Sequence, residues 1–270
     1  MQPVFAPRTS RARVSPRLAM LLALILVPLS ALLAFTWAPI ATIGLGAHGG
    51  IQYDFPQKIF YWHVPVALAA YAGFAAGAWN GLLYLLKGDD DYDTRSYVGV
   101  HVGIVFGTLV LVTGSIWAKA AWGVWWNWGD RQLLVFLTLF LFYAAYFVLR
   151  FSIEPGRARA RASAVYSVIG VALVPLSFLA IRIADTLIHP IVLTTSGDRL
   201  TGPMWGTFAV GVVGFVALAM WMVQLEVAAK LRATRGFCSS DEDPARGAAG
   251  EDSVATTTSA SSEQPAVRHA

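Results

Sequence analysis

Two histidines and one knot of tryptophans are the side chains in this sequence whose types and spacing could do chemistry. His63 stands in Lys58-Ile-Phe-Tyr-Trp-His63-Val-Pro65, and His189 in Asp185-Thr-Leu-Ile-His189-Pro190. The tryptophans crowd the stretch from Trp117 to Arg131, which holds five of the ten in the chain. A neutral imidazole is a strong ligand for haem iron, and two held across one cavity could take both axial positions. Trp125 and Trp126 lie three and four residues beyond Trp122, so a helical turn would bring all three to one face. Such a face is a flat apolar wall of the kind a porphyrin can lie on, with Asp130 and Arg131 at its margin. Haem propionates need cationic partners. Lys58, Lys119, Arg131 and Arg182 are the candidates, and arginine is the better geometric match for a carboxylate.

Each of these features also has a plainer reading. The histidines could be interfacial residues bonded to loop backbone, the cations simple anchors, and the tryptophans part of an aromatic belt. A belt is usually spread over several helix ends, whereas these tryptophans are packed into one connection. Proline closely follows both His63 and His189 and biases the residue before it away from helix. Arg182, Asp185 and His189 are spaced three and then four apart, hence on one face if helix continues so far. His48, in a Gly-rich loop, and His269 have no obvious context, and His101 reads as a packed or interfacial histidine. The single cysteine, Cys238, excludes an internal disulfide framework, a CxxC redox pair and a Cys-x-x-Cys-His site for attaching haem.

The elements that must position these residues are membrane spans. The 270 residues are 56% hydrophobic and only 13% charged, with a mean hydropathy of +0.57. Soluble domains run nearer a quarter charged, so the composition is that of a membrane protein. Apolar runs at about 18–39, 60–86, 98–117, 133–151, 164–183 and 204–229 are each long enough to span a bilayer. They predict an all-α integral membrane protein with six transmembrane helices. The Trp-rich stretch, too aromatic for a solvated loop and too broken to span, becomes an outer interfacial segment. A basic N-terminal segment, 1–16, precedes the membrane domain, 17–230. A tail rich in Ser, Thr, Ala, Asp and Glu, 231–270, reads as disordered.

The net charge of +4 does not point to nucleic acid, because the basic residues sit beside the apolar runs. Fifteen of the 20 Lys and Arg fall on one side of the six spans, the exceptions being Lys58, Lys119, Arg131, Arg182 and Arg199. That asymmetry predicts cytoplasmic termini and an outward Trp-rich stretch. Glycines recur every four residues at Gly73, Gly77 and Gly81, and again at Gly99, Gly103 and Gly107. Stripes of this kind let helix backbones approach closely in lipid, so the second and third spans should pack antiparallel along them.

The sequence resembles the CcmC family, haem-handling membrane proteins of cytochrome c maturation that share a tryptophan-rich motif. The residues that carry the resemblance are Lys58–Pro65, the run Trp122-Gly-Val-Trp-Trp-Asn-Trp128-Gly-Asp130-Arg131, and His189, and it covers about 17–230. The family pattern usually has Asp directly after the last Trp, whereas Gly129 intervenes here. The resemblance implies that haem b is held transiently at the outer face of the bacterial cytoplasmic membrane. His63 and His189 would be the axial ligands, and Trp122, Gly123, Trp125, Trp126 and Trp128 the platform. It also implies delivery to the membrane-anchored haem chaperone CcmE, together with the ABC-type pair CcmA and CcmB and the small protein CcmD. On this reading the chain is a binding and transfer protein with no catalytic residues.

The alternative within the same superfamily is a cytochrome c haem lyase or synthase, whose larger members carry more spans and extra histidines. A b-type electron carrier needs facing histidine pairs inside the bundle, and only His101 falls within a span. A transporter of something other than haem would place ionisable residues near mid-membrane, and these spans hold almost none.

Overall fold

The computed structural model describes residues 14–45, 51–183 and 200–241. The elements run α1 (Pro16–Thr36), β1 (Ala41–Leu45), β2 (Ile51–Asp54), a 3-10 turn (Phe55–Ile59), α2 (Phe60–Lys87), α3 (Asp90–Trp122), α4 (Arg131–Phe151), α5 (Arg157–Gly170), α6 (Leu173–Ile183) and α7 (Gly202–Asp241). Six helical stretches, with α5 and the start of α6 forming one of them, are long and apolar enough to cross a membrane. The fold is the all-α membrane architecture that the apolar runs predict, since in lipid the backbone must satisfy its own hydrogen bonds. The loop after α1 adds one short antiparallel ribbon, with Ala41 opposite Asp54 and Thr42 opposite Tyr53.

The helices depart from the apolar runs at the start of α3 and within the fifth span, each for a local reason. α3 starts eight residues before the third apolar run, because Asp89 caps it by accepting the Asp91 N–H at 3.0 Å. Asp90, Asp91 and Asp93 in its first turn complement the helix dipole. Only Gly88 and Asp89 then separate α2 from α3, and Gly88 makes the reversal in the left-handed region at φ 67°. The fifth span is broken at Val171–Ala172. Pro175 has no N–H for the Val171 carbonyl and its ring crowds that carbonyl, so the chain tightens into three-residue bonds there. Pro65, in contrast, does not disturb α2 and lies buried inside it. The Tyr61 carbonyl that this proline leaves unbonded is closely approached by Gly211 of α7, where a Cβ would meet it at 2.8 Å.

The interface between α2 and α3 is extensive. It follows the predicted glycine stripes: a Cβ on Gly99 would meet the Gly77 backbone at 2.6 Å, and one on Gly73 the Gly103 backbone at 2.7 Å. At the Trp-rich end a second cluster joins Ala34 and Ala38, Phe60 and Tyr61, and Leu200, Met204 and Phe208, with Phe60 stacked on Phe208 at 5.1 Å. At the opposite end Arg150 of α4 grips Asp93 of α3 through two bonds of 2.8 and 2.7 Å and lies over the Tyr97 ring. A separate unit begins at Ala228. Its described part is helix to Asp241, within the segment read as a disordered tail; the rest of that tail and residues 1–13 lie outside the described residues.

Candidate haem site

His63 is on the first turn of α2 and half-buried. The 3-10 turn before it is fixed by Lys58, a buried lysine whose ammonium donates to the Ala38 carbonyl at the end of α1. The imidazole lies against α3, with Nδ1 2.8 Å from the Thr113 hydroxyl. The neighbouring Gly114 makes room for the ring, since a Cβ there would sit 3.0 Å from His63 Cε1. Nine residues further along the same helix is Trp122, about 13 Å up the axis at 1.5 Å per residue. One helix thus carries both the seat of His63 and the start of the tryptophan segment.

The tryptophans do not share one helical face. α3 ends at Trp122 because Gly123 turns into the left-handed region at φ 78°, its N–H bonded to the Lys119 carbonyl at 3.1 Å. Lys119 completes the cap by donating to the Gly123 carbonyl at 2.8 Å. On either side of this cap the aromatic rings pair edge to face. Trp117 meets Trp122 at 4.7 Å, and Trp126 meets Trp128 at 5.9 Å. Trp122, Val124, Trp126, Asn127, Trp128 and Gly129 line an open hollow of about 710 Å³. Trp125 and Trp128 are 61% and 71% exposed, and the buried Trp126 Nε1 has no hydrogen-bond partner among the described residues.

Gly129 is accommodated as one residue of a turn. The Asn127 side chain accepts the Gly129 N–H at 2.9 Å, and the Asn127 carbonyl accepts the Asp130 N–H at 3.2 Å. The turn delivers Asp130, only 5% exposed, to the N-cap of α4, where it accepts the Leu133 N–H at 3.1 Å. Asp130 therefore has a clear structural task at the mouth of the hollow. Arg131, the first residue of α4, is exposed. Of the four cations considered for propionates, Lys58 and Lys119 are occupied by backbone carbonyls, and Arg131 makes no side-chain hydrogen bond among the described residues.

His189 and Asp185, His48 and His269 lie outside the described residues, as does the side chain of Arg182. His101 is packed, as its place in the sequence suggested. Its Nδ1 is 2.7 Å from Glu226 of α7, and its ring packs against Tyr97 and Phe147, which also touch each other. No group of three or more metal-ligating side chains occurs among the described residues. Sequence reading missed Thr113 and Gly114. Their only signal is a hydroxyl and a glycine together at the end of the aliphatic run Leu109–Val112, one turn before Trp117.

These features define a six-helix membrane protein with an aromatic hollow at one end of the bundle. A sequence model of the family described as heme exporter protein C matches residues 7–238, and the chain belongs to that family. Heme exporter protein C of Paracoccus denitrificans is 29% identical over 176 residues, covering 63% of this chain and 73% of the relative. The Escherichia coli K12 protein of that name is 31% identical over 163 residues, 57% of this chain and 65% of its own length. A shorter match of 48% identity over 63 residues, 23% of this chain and 20% of the relative, is to cytochrome c biogenesis protein CcsA of Prochlorococcus marinus MIT 9515.

Proposed function

We propose that this protein takes part in cytochrome c biogenesis by holding haem b as cargo at the outer face of the bacterial inner membrane and passing it on. The observation that carries the reading is the seating of His63: its Nδ1 is engaged by Thr113 on the helix that leads into the tryptophan hollow. Membership of the heme exporter family and the names of its relatives support the same role. His63 is one axial ligand and His189 the other. The rings of Trp122, Trp125, Trp126 and Trp128 cover the porphyrin, Gly123 ends the helix so that they can do so, and Arg131 receives a propionate. Asp130 holds the rim by capping α4. The iron supplies two axial coordination positions, and everything else is binding and exclusion of water. The transfer partner is the haem chaperone CcmE, with CcmA, CcmB and CcmD as the accompanying membrane proteins. No catalytic residue is needed for that task.

The test is a haem spectrum of the purified protein, repeated for His63→Ala and His189→Ala. Each variant should lose the bis-histidine spectrum and most of its haem. An unchanged spectrum in both would remove the axial assignment. The alternative within the same superfamily is a haem lyase or synthase. That reading requires the purified protein to attach haem covalently to an apocytochrome, whereas a transfer protein should leave the apocytochrome without haem.

A further inference from the structure

We infer that Thr113 and Gly114 are positioning residues that decide which nitrogen of His63 faces the iron and how strongly it binds; this rests on the haem reading above. The Thr113 hydroxyl has one hydrogen, and its Oγ1 stands 2.7 Å from the Leu109 carbonyl oxygen and 3.3 Å from that of Val110, the acceptors to which it donates back along the helix. Toward His63 the hydroxyl can therefore only accept. Nδ1 must carry the imidazole proton, which leaves the lone pair on Nε2. This is the tautomer that an Nε2 ligand requires, and it is set before any haem arrives. Gly114 fixes the ring itself. The imidazole occupies space that any Cβ at that position would invade, with Cε1 only 3.0 Å from where it would stand.

The nature of the acceptor also matters. Histidine ligands that donate to a carboxylate become more basic and bind their metal more firmly. This chain has such a pair at the other end of α3, where His101 meets Glu226 at 2.7 Å. At His63 the acceptor is a neutral hydroxyl whose own hydrogen is already committed. That bond orients the ring through Nδ1 and, unlike a carboxylate, adds little basicity, which suits a site that must release its cargo.

The experiment compares the full-length protein with Thr113→Val, Thr113→Ser and Gly114→Ala. In the haem-free protein labelled with nitrogen-15 histidine, the His63 signal, assigned by its loss in His63→Ala, should report a proton on Nδ1. Thr113→Val should abolish that preference and weaken haem retention about 10–100-fold, the usual cost of losing a ligand's supporting hydrogen bond. Thr113→Ser should restore both, which a merely space-filling role would not allow, and Gly114→Ala should weaken retention while keeping the tautomer. A proton on Nε2 in the haem-free protein, or wild-type retention in Thr113→Val, overturns the inference. If His63→Ala keeps its haem while the Nδ1 proton is found as expected, the ligand reading fails and the tautomer assignment stands.

Discussion

At the scale of single residues, the site is held by caps. Asp130 and Gly123 stand at the two ends of the tryptophan connection, one starting α4 and the other ending α3. Asp130→Ala removes an N-cap acceptor and should cost about 1 kcal/mol of stability, while Asp130→Asn, also a good cap, should lose much less. Thermal unfolding in detergent with matched haem content measures this. If Asp130→Asn loses as much haem as Asp130→Ala without losing stability, the carboxylate charge acts on haem directly. The sequence exposed His63 and the tryptophans because imidazole and indole are rare and chemically distinctive. Thr113 was hidden because its meaning lies in a contact with a residue 50 positions away. The one-face arrangement of Trp122, Trp125 and Trp126 failed at Gly123. Periodicity assumes that helix continues, and a left-handed glycine stops it.

At the scale of elements, the α2–α3 pair is the rail on which His63 and Thr113 are brought into register. The glycine stripes were legible as a repeat of four, and Gly73, Gly77, Gly99 and Gly103 pack as the repeat requires, whereas Gly81 also meets α5 and Gly107 meets Phe140 of α4. Gly99→Leu would force side-chain atoms into the Gly77 backbone, which a Cβ alone already approaches to 2.6 Å. The helices must then separate, so haem retention should fall even though no residue at the site has changed. Gly88→Leu in the connection meets no atoms within 4 Å and is strained only by its positive φ, so it should cost stability without that specific loss. Equal retention in the two variants would mean that the helix spacing does not govern the site. The early start of α3 was also written in the sequence, as a capping Asp89 followed by an acidic first turn, but the apolar period obscured it.

Arg150 and Asp93 bind α4 to α3 at the other end of the bundle, with side chains 8% and 14% exposed. Charge counting had treated Arg150 as one more loop cation. Removing one member of a buried pair leaves an uncompensated charge, so Arg150→Met should cost about 3–5 kcal/mol. Replacing both, as Asp93→Leu with Arg150→Met, should cost less than the single change, because no charge is then stranded. A double variant less stable than Arg150→Met would show that the pair is worth more than the burial it requires.

At the scale of the whole molecule, the remaining question is which end of the bundle faces the cytoplasm. Arg150 is neutralised by Asp93, so it gives little weight to the positive side. Arg17, Lys87, Arg95, Arg157, Arg159 and Arg161 still share that end, whereas at the other end Lys58 is buried and Lys119 caps a helix. Subtracting the occupied cations from both sides therefore sharpens the asymmetry. The positive-inside rule then puts the Gly88 turn in the cytoplasm and the tryptophan hollow outside. Cys238 is the only native cysteine, so a Cys238→Ser background gives a clean test. In intact spheroplasts a membrane-impermeant thiol reagent should label Val124→Cys at once and Gly88→Cys only after the membrane is broken. Val124 is 46% exposed and Gly88 has open space around it, so both positions are accessible from their own side. The opposite labelling pattern would put the hollow in the cytoplasm and rule out delivery to an outer-face chaperone, whatever haem the protein binds.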